Sequence, residues 1–390
     1  MNEEHTEQGA DPDGRVSLTE LAFVFLKLGT TAFGGPAAHV AMMEDEFVTK
    51  RGWITKPEFL DRLAAASLIP GPSSTEVGIF VGQSKRGWAG LLVAGCCFIF
   101  PAAVLVTLIA AVYARYGSLP QVAGILHGIK PAVIAIILQA LWSLSRAAVK
   151  SGFLAAIGVG AVVLSAVGVA PLAVLAIAGV TSCAPIWFGK QRTALAAVLL
   201  RLNGWAGLAI APAAAATLPV SLLRLFLSFL KIGATVFGSG YVLLAFLRAE
   251  FIEKLHWLTE KQLIDAVAVG QFTPGPLFTT ATFIGYLVAG IRGAVVGTVG
   301  IFLPGFVLVA SSAHLLPKLR RSAIASAILD GVVVGSLALM AVVAWQLGRA
   351  SVIDWITAAI LVASTALLMR FRINSAWLIV GAALTGWLAR

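Results

Sequence analysis

The chain has 390 residues, 59% of them hydrophobic and only 12% charged, with a mean hydropathy of +0.94. Soluble domains carry about 25% charged residues, so the composition excludes a soluble globular protein and calls for several membrane spans. The formal charge of +10 comes from Lys and Arg placed between apolar segments, as in cytoplasmic loops, which excludes a nucleic-acid-binding face.

Residues 1–16 (MNEEHTEQGADPDGRV) are polar and acidic, and the composition predicts a disordered tail. They lack the basic start and short apolar core of a cleavable signal peptide, so the N-terminus is expected in the cytoplasm. The first apolar helix follows and carries Lys27 midway along it. A lysine at the centre of a membrane helix costs about 2.5–3.5 kcal/mol, so it faces a cavity or a partner. It either neutralises a bound anion or snorkels and pairs with Glu20. Gly34-Gly35-Pro36 ends this helix. The glycines either turn backbone amides toward an anion or serve close helix packing, and the proline suits the start of the next helix.

The loop Glu44–Lys56 is amphipathic and of mixed charge, with Trp53 as an interfacial anchor. An apolar segment at 58–84 is broken by Pro70-Gly71-Pro72, because proline removes a backbone donor and clashes with the preceding turn. In lipid such a break is tolerated only where protein or a water-filled cavity covers the freed groups. Ser73 and Ser74 follow it, at a restarting helix whose N-terminal amides and positive dipole end favour an anion. The bland alternative is a structural kink. Glu76 lies one turn in and is the coupling candidate: ionised it repels an anion, protonated it does not. Further spans are expected near 88–114, 121–145, 152–169 and 171–188.

The same order of features returns 204 residues later. Phe25–Gly35 (FLKLGTTAFGG) matches Phe229–Ser239 (FLKIGATVFGS) at seven of eleven positions. Pro274-Gly275-Pro276 repeats the broken segment, with Thr273 before it and Lys231, Gly238 and Ser239 upstream. Glu46, Trp53, Thr55 and Asp61 match Glu250, Trp257, Thr259 and Asp265; after one gap Pro101, Gly128 and Trp142 match Pro304, Gly331 and Trp345. Chance apolar similarity does not hold glycines, prolines and tryptophans in register, so the chain is a duplication. The paired aspartates read first as structural ion-pair members.

Lys and Arg sit at opposite ends of equivalent spans. Lys85-Arg86 precede the 88–114 span, whereas Lys318, Arg320 and Arg321 follow its counterpart. The halves are therefore expected upside down relative to each other. Each half has an even number of segments, so residues 204–222, which have no counterpart, are read as a linking helix that inverts the second half. The organisation is a tail at 1–17, a repeat at 18–190, a linker at 191–222 and a repeat at 223–390. About 13 spans result, or about nine if the first two segments of each half are re-entrant.

Cys96, Cys97 and Cys183 lie in apolar runs, the five histidines have no metal-ligand spacing, and no P-loop, GxSxG or nucleotide fingerprint occurs. No metal, cofactor or enzymatic centre is expected. Two broken helices at matching places in inverted halves point to a transporter with its site at the bilayer midplane.

The set FLKLGTTAFGGP, GWIT and LIPGP, followed by a long apolar span, resembles the chromate ion transporter family in its two-domain form, over nearly everything from residue 18 onward. The resemblance implies a bacterial inner-membrane protein that exports chromate and confers resistance, with a link to sulfate. Its motif residues fall on Lys27, Gly34, Gly35, Pro36, Pro70, Gly71 and Pro72, and on Lys231, Gly238, Pro274, Gly275 and Pro276. Ser239-Gly240 depart from the Gly-Pro of the first half.

The expectation is an all-α polytopic protein with two inverted repeats and Pro-Gly-Pro-broken helices. Its substrate is a tetrahedral dianion bound by both lysines, the glycine-rich tips, Ser73, Ser74 and Thr273. The alternatives are sulfate or another oxyanion as substrate, or a membrane-embedded lipid-phosphate enzyme. The expected partners are the oxyanion and the bilayer, not nucleic acid; the oligomeric state is open, with a homodimer as one option.

Overall fold

Among the described residues, seven helices of the first half have seven counterparts in the second. The computed structural model describes residues 16–33, 35–117, 120–187, 220–237, 240–371 and 375–389. The first half contains α1 (Leu18–Thr31), α2 (Pro36–Glu44), α3 (Lys56–Ala66), α4 (Ser73–Tyr116), α5 (Pro120–Ala148), α6 (Gly152–Ala166) and α7 (Pro171–Thr181). The second contains α8 (Leu222–Gly233), α9 (Leu243–Leu247), α10 (Glu260–Phe272), α11 (Thr280–Arg321), α12 (Ala323–Ser351), α13 (Trp355–Phe371) and α14 (Ser375–Leu388).

Local sequence sets the helix starts. Thr55 and Glu58 form a capping box at α3, and Thr259 and Gln262 form the same box at α10. Pro36 occupies the first turn of α2, where its missing N–H costs nothing. α2 runs into a π-helical segment, Asp45–Lys50, and α9 into its counterpart Arg248–Lys254.

α1 and the segment after it form an antiparallel hairpin. Lys27 meets Glu46 at 3.4 Å and Arg51 reaches back to Glu20 at 2.7 Å, so the chain reverses between them. The Phe25 and Phe47 rings pack at 5.3 Å inside this hairpin, and Phe229 and Phe251 pack at 4.8 Å in its counterpart. α4 also doubles back. Arg86 and Gly87 leave helical geometry, and so do Ala289 and Gly290 of α11, with positive φ at both glycines. The Thr282 and Thr298 hydroxyls stand 2.7 Å apart, whereas residues that far along a straight helix would be about 24 Å apart. The separate segments expected before and after residue 86 are thus two arms of one hairpin.

Among the described residues four helical stretches are long and apolar enough to cross a membrane: Ser73–Tyr116, Gly124–Ala148, Leu277–Ser312 and Ala323–Ser351. At 14, 9 and 11 residues, α1, α2 and α3 fall short of the roughly 20 needed to cross. α6, α7, α13 and α14, at 15, 11, 17 and 14 residues, are shorter than that as well.

α5 and α12 occupy equivalent places in the repeat and run antiparallel. His127 near the start of α5 pairs with Asp354 beyond the end of α12 at 2.9 Å, and Lys150 after α5 pairs with Asp330 early in α12 at 2.8 Å. Between them Ile134 lies against Gly348. This is the inversion that the Lys and Arg placement predicts. The halves also exchange partners: α5 packs on α13 and α14, while α12 packs on α6 and α7. Most of the expected linking helix at 204–222 lies outside the described residues, as does the N-terminal tail up to residue 15.

Candidate functional site

Pro70-Gly71-Pro72 closes the turn between α3 and α4, and Pro274-Gly275-Pro276 closes the one after α10. Gly71 has φ +135° and Gly275 φ +87°, conformations that a side chain opposes. Because proline has no N–H, each tripeptide offers a single backbone donor, that of its glycine. Gly71 donates to the Val236 carbonyl at 2.8 Å, and Gly275 donates to the Ala32 carbonyl at 2.9 Å. Each tip therefore docks on the other half, immediately before that half's Phe-Gly turn. Four chain reversals meet at one place inside the protein.

The two sides of this crossing differ in polarity. In the first half His39 Nδ1 lies 3.3 Å from the Ser74 hydroxyl, both buried, and α4 begins without a side-chain cap. Thr75 Oγ1 and both carboxyl oxygens of Glu76 are buried without a hydrogen-bond partner. The counterparts of His39, Ser74 and Glu76 are Leu243, Phe278 and Thr280. In the second half the hydroxyls of Thr273, Thr279 and Thr280 are turned onto carbonyls of their own segment. The exception is Gln271, a buried residue just before the second tip whose Nε2 has no partner. Uncommitted polar groups thus gather on the first half's side of the crossing, and on the second half's side Gln271 is left with an unpaired amide nitrogen.

Lys27 and Lys231 stand one to two turns before the reversals on half-exposed faces. Lys27 pairs with Glu46 rather than Glu20, which Arg51 takes; Lys231 pairs with Glu250 at 2.5 Å. Burial works against ionisation of Glu46, but hydrogen bonding from Arg51 and the charge of Lys27 outweigh it and hold the carboxyl below its ordinary value. Glu250 behaves alike: burial raises it, while Lys231 and Lys254 bring it below the ordinary value. Both carboxylates lie in the π-helical segments, outside the spanning helices. Thr30 and Thr31 continue the exposed face of α1 beyond Lys27, with their hydroxyls on the Lys27 carbonyl.

Of the other expected site residues, Gly35 has φ +81° and caps α2, and Ser73 opens α4. Gly34, Gly238 and Ser239 lie outside the described residues. Asp265 is fully buried and pairs with Lys130 at 3.2 Å, in keeping with the structural reading. His39, Gln271, Lys130 and Tyr113 are additions from the structure. None recurs at its equivalent position, and reading by repetition passes over such residues. An apolar groove of about 290 Å³ between α7 and α12 reaches Thr235 and Phe237 beside the second Phe-Gly turn.

The family profile for chromate transporters matches residues 19–183 and matches again over 223–387. The chain belongs to the chromate transporter family. It is 32% identical over 383 residues to a chromate transport protein of Cupriavidus metallidurans, covering 96% of this chain and 93% of that protein. A probable chromate transport protein of Synechococcus elongatus is 32% identical over 358 residues, covering 87% and 86%. A chromate transport protein of Pseudomonas aeruginosa is 28% identical over 387 residues, covering 96% and 92%. No solved structure matches the chain. The two matches to the chromate transporter profile begin one residue inside α1 and α8, so each takes in its half from the first helix onward.

Proposed function

We propose that this chain is a secondary transporter that carries chromate out of the cell across the bacterial inner membrane by alternating access, and so confers chromate resistance. Its N-terminus lies in the cytoplasm in this reading. The observation that supports it most directly is the reciprocal docking of the two Pro-Gly-Pro tips, Gly71 on Val236 and Gly275 on Ala32. In transporters built this way, inverted halves that meet through interrupted helices hold the substrate near the midplane, which supports a site at this crossing.

Chromate is a tetrahedral dianion, and its oxygens ask for several donors and partial charge compensation. The uncapped start of α4 supplies the positive end of a helix dipole, with Ser73, Ser74 and Thr75 as hydroxyl donors. Gln271, buried with an unpaired amide nitrogen just before the second tip, is a further donor in this reading. Lys27 and Lys231 line the approach, and their partners Glu46 and Glu250 moderate the field. A shell of dipoles and hydroxyls binds weakly enough to let the anion leave, which transport requires. Antiparallel α5 and α12 form the frame against which the hairpins move.

The same donors read shape and charge rather than chromium, which supports sulfate as a competitor for the site. The test is saturable chromate uptake into everted membrane vesicles, with and without excess sulfate. Uptake that saturates and that sulfate competes away is the expected result. No uptake above that of vesicles lacking the protein overturns the reading.

A further inference from the structure

Glu76 has no solvent exposure, and neither carboxyl oxygen has a hydrogen-bond or ionic partner among the described residues. Its place is built by both halves. A Cβ at Gly71 would run into Glu76 Oε1, and one at Gly305 of α11 would stand 3.5 Å from that oxygen. At the symmetry-related spot the arrangement is complementary: Thr280 replaces Glu76, and Ala102 replaces Gly305. There the Ala102 methyl covers Gly275, standing 2.7 Å from where a Cβ would be, and Thr280 donates to its own segment at 2.8 Å. Gly71 thus leaves the room that the longer acid occupies, and Gly305 lines that place from the other half at ordinary contact distance.

The charged and titratable groups on the elements around it are otherwise engaged. Lys27 on α1 is tied to Glu46 and Asp265 on α10 to Lys130, while Arg62 on α3 bonds the Glu58 carbonyl. Asp61 on α3 also has a partner. The α11 stretch 297–312 has no titratable residue. His39 on α2 stands 3.3 Å from Ser74, two residues before Glu76. An ionised carboxylate with no counter-ion in such surroundings bears the full cost of desolvation, and a neutral acid does not.

We propose that Glu76 is a proton-binding site coupled to the oxyanion: the carboxylate takes up one proton as the dianion binds, the two cross together, and the proton leaves when the site opens to water. This rests on the oxyanion-transport reading above. The sign follows from charge. An ionised Glu76 repels the dianion, so affinity falls as pH rises through the titration of the open site. A single linked proton changes affinity by about tenfold per pH unit there.

The test is calorimetry of chromate binding to the purified full-length protein across pH, in two buffers of different ionisation enthalpy, which counts protons taken up. Wild type and His39→Gln are expected to take up protons on binding, and Glu76→Gln to bind with no uptake and no pH dependence over that range. Uptake by Glu76→Gln equal to wild type, or loss of uptake in His39→Gln, overturns the proposal. Wild type that binds chromate without proton uptake at any pH also overturns it, while oxyanion transport stands. Wild type that binds no chromate overturns both readings together.

Discussion

Lys130 of α5 holds Asp265 of α10 at 3.2 Å, although the two residues come from opposite halves. The Tyr113 hydroxyl donates to the other Asp265 oxygen at 2.7 Å, and the aspartate has no solvent exposure. The Lys130 approach to Oδ1 lacks hydrogen-bond alignment, so charge carries it. Breaking such a pair strands a buried charge, at a cost of about 3–5 kcal/mol. Lys130→Met should therefore lower the melting temperature of the purified protein sharply, and Lys130→Met with Asp265→Leu should recover most of the loss. A single variant as stable as wild type would show that the pair contributes nothing net.

Much of this architecture is legible in the sequence because the duplication repeats residues whose physics is specific, above all the prolines and glycines of the tips; the partner of Lys27 is not legible, since Glu46 takes it rather than Glu20. The inversion is legible because basic residues change ends. What ties the halves together is not, because there the two halves diverge. Lys130 has Val333 as its counterpart, and the His127–Asp354 pair is matched by the oppositely charged Asp330–Lys150 pair. The same divergence hides the polar side of the crossing, where His39 and Ser74 face Leu243 and Phe278 at equivalent positions.

Gly128 of α5 meets the Ala382 carbonyl of α14 so closely that a Cβ would strike it, and Gly331 of α12 meets the Ala178 carbonyl of α7 in the same way. These are symmetry-related contacts of backbone on backbone, which cannot yield as a side chain would. Gly128→Ala and Gly331→Ala should each destabilise by about 1–3 kcal/mol. Gly160→Ala on α6, where nothing lies within 4 Å, should stabilise by about 0.5–1 kcal/mol through helix propensity. Thermal unfolding in detergent measures all three, and equal effects at 128 and 160 would contradict the packing argument.

Glu46 and Glu250 carry a pH prediction. Both carboxyls are held below the ordinary value of 4.5 in the folded protein. A depressed carboxyl contributes stability above its unfolded value and loses it as pH falls through the folded one, so the loss lies on the acid side of 4.5. The melting temperature of wild type should fall on acidification through that window. Glu46→Gln with Glu250→Gln should start lower at neutral pH and fall less. Parallel curves for the two proteins would remove these carboxylates from the acid limb.

Lys27 separates a structural from a functional charge. Its ammonium pairs with Glu46, which Arg51 also holds at 2.9 Å and Lys50 approaches at 4.0 Å. Glu46 therefore keeps two cations when Lys27 is removed, and Lys27→Ala should fold with little loss, since a half-exposed pair is worth about 0–1 kcal/mol. If the lysine serves the oxyanion, chromate uptake by everted vesicles should still be abolished in Lys27→Ala. Combining it with Glu46→Gln distinguishes the two roles. A lysine needed only to balance Glu46 becomes dispensable once the glutamate is neutral, and uptake returns. A lysine that meets the anion is not replaced by removing its partner, and the double variant stays inactive, which is the outcome expected here.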